Sequence, residues 1–122
     1  MTTRSPDAPA SSVAFIGGGN MARSLIGGLV AQGRDPATIH VAEPVQPVRE
    51  ALQADFGVRV FEDGAQAAAD ASTWVLAVKP QVMRPVCEAL APLAQAGKPL
   101  LVSIAAGITS AQLARWLGGD VA

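Results

Sequence analysis

Tyrosine is absent from these 122 residues, and three Phe and two Trp are the only aromatic side chains. So few rings cannot furnish a row of base-stacking platforms, which argues against single-stranded nucleic acid as a ligand. Charge of one sign is also missing. Nine basic residues against ten acidic ones leave a net charge of -1, and no electrostatic footprint for nucleic acid or an anionic membrane. A single cysteine, Cys87, makes no internal disulfide, and with a single histidine, His40, it makes no zinc site. Apolar runs stay far short of the roughly 20 residues that cross a bilayer. The amino end, Met1 to Ser12, carries Arg4 but no apolar stretch of the kind a secretory signal needs. What remains is a soluble domain of a reducing compartment, expected in the cytoplasm, with no metal, nucleic acid or membrane partner.

Residues 1–12 (MTTRSPDAPASS) are small, polar and Pro-bearing, and read as a flexible lead-in to one domain over 13–122. From there short apolar runs alternate with segments of helical period. Strands are expected at 13–16, 39–42, 58–61, 74–78 and 100–104. Apolar residues at 21, 22, 25, 26, 29 and 30 give one helix face, with Gly33 placed as its terminal cap. Val45, Val48, Leu52 and Phe56 stripe a second helix ended by Gly57, and Asp63 opens a short Ala-rich third one over 63–71. Val82, Val86, Leu90 and Leu93 stripe a fourth, with Pro85 in its first turn and Pro92 bending or ending it. Thr109 or Ser110 starts a last helix with Leu113, Trp116 and Leu117. Fully apolar strands alternating with amphipathic helices mean a parallel sheet covered on both faces. Right-handed crossovers make it a doubly wound, Rossmann-type α/β domain of three layers, most simply in strand order 3-2-1-4-5.

The chemistry sits at the end of the first strand. Gly17-Gly18-Gly19-Asn20-Met21-Ala22 fits the Ala-terminated form of the dinucleotide fingerprint, and an acidic residue, Glu43, follows 21 positions after Ala22 at the end of the second strand. Gly17 permits the tight turn, Gly19 lets the backbone approach a pyrophosphate, and Ala22 lets the helix pack close to the sheet. The first N–H groups of that helix, from Asn20 and Met21 on, then face the phosphates. Glu43 is expected to accept the ribose hydroxyls and to repel a 2′-phosphate by roughly 4 kcal/mol per charge pair at 4 Å and ε ~20, which tilts the cofactor toward NADH. Arg49 is expected on a solvated helix face, with the reach to soften that tilt. Val78-Lys79-Pro80 and Ala105-Ala106-Gly107 follow the fourth and fifth strands, at the sheet edge where such folds bind ligands. Cys87 reads as a buried structural thiol and His40 as a structural residue of the second strand.

FIGGGNMARSLIGGL at 15–29, LAVKPQVM at 76–83 and VSIAAGITSAQLARWLG at 102–118 together resemble the amino-terminal cofactor-binding domain of the pyrroline-5-carboxylate reductase family, over nearly the whole chain. The resemblance implies reduction of the cyclic imine 1-pyrroline-5-carboxylate to L-proline by NADPH or NADH. It implies that Val78, Lys79 and Pro80 line the cofactor, and that Ala105, Ala106 and Gly107 lie beside the nicotinamide. It names no catalytic residue. Two positions depart from the family: Glu43 stands where Ser, Asn or Asp is common, and Gly64 where an Asn often meets the adenosine. The family continues into a sixth strand and a helical domain that pairs subunits into a homo-oligomer and holds the substrate. This chain is therefore expected to be a fragment or a reduced gene product, inactive by itself. The alternatives are a stand-alone dinucleotide-binding module and a related imine or hydroxyacid reductase.

Overall fold

Residues 12–69, 71–97, 99–103, 112 and 115–117 are described by the structure, a computed structural model. In chain order they form β1 (Val13–Ile16), α1 (Asn20–Ala31), a 3-10 turn (Pro36–Thr38), β2 (Ile39–Ala42), α2 (Gln46–Phe56), β3 (Arg59–Phe61), α3 (Gly64–Ala68), β4 (Thr73–Leu76), α4 (Pro80–Gly97) and β5 (Leu100–Ser103). The five strands make one sheet in the order β3-β2-β1-β4-β5, and every pairing is parallel. The Rossmann-type doubly wound architecture expected from the apolar runs is the one observed.

Each strand of the sheet's centre sends alternate side chains to opposite faces, and each face receives its own helices. Phe15, Val41 and Val75 point toward α1 and α2, where Ala22, Ile26 and Leu52 complete one buried cluster. Ala14, Ile16, Trp74 and Leu76 point the other way, into a second cluster with Ala67 and Ala68 of α3 and Met83, Cys87, Leu90 and Ala94 of α4. Both faces being covered is why β1 and the Trp74–Leu76 run of β4 are apolar on both sides rather than alternating. His40 lies on the α3 side, buried, with its Nδ1 3.1 Å from the Ala67 carbonyl oxygen and its ring edge-on to Phe61. It is structural, as expected.

Helix ends follow their local chemistry. After α1, Gly33 takes φ +96°, and the N–H groups of Gly33 and Arg34 donate to the carbonyls of Val30 and Leu29, which closes the last turn. Asp63 caps α3, its Oδ1 accepting from the Ala65 N–H at 3.0 Å.

Several boundaries depart from expectation. β4 ends at Leu76 rather than at Val78: the Ala77 N–H donates to the Ile16 carbonyl as the last rung on that side, and β1 then turns away at Gly17. β3 begins at Arg59, with Val58 buried just ahead of it. α3 is shorter than 63–71, and β5 ends at Ser103, with Ile104 outside the described residues. Pro85 is the sixth residue of α4 rather than a first-turn residue, and Pro92 does not end the helix. Both prolines lie on the exposed side, seven residues apart, and the carbonyls they leave without donors belong to Gln81 and Glu88, also exposed. Exposed carbonyls are open to water, and the helix continues through both prolines on its buried seam. That seam runs through Met83, Cys87, Leu90 and Ala94; of the expected stripe Leu90 lies in it, Val86 and Leu93 pack half-buried beside it, and Val82 is exposed. The expected last helix falls almost wholly outside the described residues; Leu117 is buried, and its carbonyl accepts from Gln95 Nε2 at 2.9 Å.

Candidate functional site

Because all strands run the same way, the loops after β1, β2, β3 and β4 meet at one edge of the sheet. There they enclose a cleft of about 610 Å³ lined by Gly17–Gly19, Glu43, Pro44, Glu62–Ala65 and Ala77–Lys79, with Val82, Val86, Ala89 and Leu90 of α4 as an apolar wall. Of the residues singled out from the sequence, Gly17, Gly19, Glu43, Val78 and Lys79 line this cleft. Asn20, Met21 and Ala22 form the first turn of α1 beside it, Ala22 buried against the sheet and Met21 60% exposed. Pro80 opens α4. Ala105, Ala106 and Gly107 lie outside the described residues.

The three glycines serve different ends. A Cβ on Gly17, whose φ is +107°, would stand 2.7 Å from the Ala77 carbonyl oxygen, so this position carries the turn. A Cβ on Gly18 would stand 2.9 Å from Leu52 Cδ1 and 3.2 Å from Glu43 Cβ, so this one is pressed onto the neighbouring loop. A Cβ on Gly19 would meet nothing within 4 Å. The space at Gly19 is left open by the fold. Beyond it, α1 begins with no side-chain cap and no acidic residue in its first turn. The first helical hydrogen bond is Arg23 N–H to the Gly19 carbonyl at 2.8 Å, leaving the N–H groups of Asn20, Met21 and Ala22 ahead of it. Uncapped donors and the positive end of a 12-residue helix at an open concavity suit an anion such as a pyrophosphate. The residues present therefore fit a dinucleotide.

Glu43 does something the sequence did not suggest. Its Oε1 accepts the Gly18 N–H at 2.9 Å and its Oε2 accepts the Val45 N–H at 3.0 Å. The side chain turns inward to the two loops instead of standing free for a ribose. Arg49 reaches back rather than lying on a solvated face: its Nη1 donates to the carbonyls of Glu43 at 2.8 Å and Pro44 at 3.0 Å. A carboxylate held by backbone donors and a guanidinium at the same turn remove much of the ground for a tilt toward NADH.

Sequence reasoning missed the α4 wall. Its signal was present: apolar residues at 82 and 86 beside those at 83, 87, 90 and 94 cover a wider arc than one core seam needs. It also missed Glu62 and Asp63 at the end of β3. At Gly64 a Cβ would make ordinary contacts of 3.8 Å with Ile16 and Leu90, so packing does not force glycine there. Among the described residues Lys79 is the only cation lining the cleft. Among them, too, no three His, Cys, Asp or Glu side chains stand together as a metal site, and no helix is long and apolar enough to cross a membrane.

The chain is similar to known proteins over most of its length. A pyrroline-5-carboxylate reductase of Pseudomonas aeruginosa is 53% identical over 106 residues, 87% of this chain and 38% of that protein. One from Vibrio alginolyticus is 45% identical over 101 residues, 83% of this chain and 37% of that protein. The solved structure of a pyrroline-5-carboxylate reductase from Coxiella burnetii superposes with a TM-score of 0.86 at 40% identity, covering 88% of this chain and 40% of that one. The resemblance drawn from the three motifs is thus borne out, and the chain spans less than half the length of these relatives. Residues 12–107 match the family model described as NADP oxidoreductase, coenzyme F420-dependent. The chain belongs to that family of oxidoreductases.

Proposed function

We propose that residues 13–122 form the NAD(P)H-binding domain of a pyrroline-5-carboxylate reductase, which reduces 1-pyrroline-5-carboxylate to L-proline in the cytoplasm. The observation that carries the reading is the uncapped start of α1 opening on the space beside Gly19; the relatives at 53% and 45% identity supply the substrate. The bound nicotinamide supplies a hydride to the imine carbon, and the imine nitrogen, with one proton, ends as the ring amine. This chain's part is to bind and orient. The N–H groups of Asn20, Met21 and Ala22 hold the pyrophosphate, Gly17 and Gly19 let it approach, and Val78, Lys79 and Pro80 wall the cofactor. Ala105, Ala106 and Gly107 follow β5 in sequence, outside the described residues, and it is the family resemblance that assigns them to the nicotinamide. The remaining length of such a reductase, which the resemblance assigns to a helical domain, supplies the substrate clamp and pairs subunits into a homo-oligomer.

The test is a chimera in which residues 13–118 replace the matching segment of the Pseudomonas aeruginosa reductase. It is expected to oxidise NADH or NADPH with 1-pyrroline-5-carboxylate and to form proline. A folded chimera that binds NAD(P)H and leaves this imine untouched would favour a plain binding module or a reductase of another substrate.

A further inference from the structure

We infer that Glu43 is a positioning residue, a latch that sets the pyrophosphate-binding loop, rather than a reader of the adenosine ribose. The inference rests on the dinucleotide reading above and assigns one residue's part within it. In this fold an acidic side chain after the second strand ordinarily takes the ribose hydroxyls. Here both carboxylate oxygens are engaged by backbone N–H groups, one from Gly18 in the glycine loop and one from Val45 ahead of α2.

The rest of the residue is fixed as well. The Glu43 N–H donates to the Phe61 carbonyl at 2.9 Å, which ties its backbone to the end of β3. Its carbonyl accepts from Arg49 Nη1 at 2.8 Å, which ties it to α2. The absence of a Cβ on Gly18 is what allows the approach, since one placed there would lie 3.2 Å from Glu43 Cβ. Swinging the carboxylate out to a ribose would abandon both amides, and the one from Gly18 is half-buried, where an unpaired donor is costly. Hydrogen bonds to an ionised acceptor are also among the stronger ones. The consequence is a glycine loop held in shape before any phosphate arrives. Glu43 acts on the pyrophosphate through Gly18, and on the ribose not at all.

Two probes separate these roles: ADP, and 2′-deoxy-ADP, which keeps the pyrophosphate and lacks one ribose hydroxyl. Glu43→Gln removes the charge, keeps the shape and leaves only one acceptor for two donors. A latch predicts that Glu43→Gln weakens both probes by the same factor, about tenfold or more for one lost charge-assisted hydrogen bond, with an unchanged circular dichroism spectrum. Whatever preference the unsubstituted chain shows for ADP over 2′-deoxy-ADP then survives. A merely structural role moves neither affinity in a folded variant, and unchanged binding of both probes overturns the latch. Weakening of ADP alone, with the preference lost, also overturns it and returns Glu43 to the ribose. Titration of the unsubstituted chain with NADH and NADPH is run alongside. Failure to bind either overturns the dinucleotide reading and the latch with it, whereas binding there with a lost preference in Glu43→Gln overturns the latch alone.

Discussion

Neighbouring glycines of one loop answer to different forces, and substitution separates them. Gly19 has an ordinary φ of -73° and open space at its Cβ position, so Gly19→Val is expected to fold as the parent does. Its isopropyl group would fill the approach to the α1 amides, and NADH affinity is expected to fall at least tenfold, about 1.4 kcal/mol. Fluorescence titration beside a melting curve checks both halves; full-strength binding by the folded variant would remove the pyrophosphate from this place. Gly17→Ala is expected to behave in the opposite sense. At φ +107° with a carbonyl 2.7 Å away, the backbone conformation alone costs about 1–3 kcal/mol, and the contact adds to it. Urea unfolding reads that loss directly, and a variant as stable as the parent would contradict the strain.

Helix α4 shows at the element scale how burial tunes a side chain. Cys87 is fully buried in its seam, and burial first, the Glu88 carboxylate second, push its thiol up from 9.0 to about 11. The unfolded chain releases that proton near the ordinary value and the folded chain holds it longer, so the unfolded state gains as pH rises from 9 toward 11. Stability is expected to be fully present below pH 9 and to fall across that window, and the fall is expected to be shallower in Cys87→Ala. Unfolding midpoints taken below pH 9 and near pH 11 in both proteins make the comparison; equal slopes would dispose of the thiol's part. The same helix marks where the sequence stopped being legible. Its existence and its apolar residues were plain, as were the strands with their glycine stops, because these follow from local period. Which apolar stripe faced the core was not, because that depends on how α4 leans on the sheet. Glu43 tells the same story. Its place after β2 was legible, but its partner Gly18 lies 25 residues away and is brought to it only by the register that sets Ile16 beside Ala42. Arg49 was misjudged for a related reason: a helix-face position says nothing of a long side chain that folds back over the preceding turn.

At the scale of the whole molecule, the sheet offers a place for a cofactor and little to hold an acid substrate. Lys79 is the one cation lining the cleft among the described residues, and hydride transfer needs the imine carbon about 3–3.5 Å from its donor in a fixed attitude. The 122-residue chain by itself is therefore expected to bind NADH or NADPH without turning over 1-pyrroline-5-carboxylate, while the chimera does so. An NAD(P)H-oxidation assay on both decides it, and brisk proline formation by the short chain would show that the clamp lies within it.

The parallel sheet also gives the molecule a front and a back. Glycine loop, Glu43 and Lys79 all lie where strands end, whereas the turn over Pro36–Thr38 leads into β2 where strands begin. Ala37 in that turn is exposed. With Cys87 buried and its thiol still protonated below pH 9, a cysteine introduced by Ala37→Cys would be the group that a maleimide surface captures. Chains immobilised through it would all stand the same way up, with the cleft turned outward to the solution.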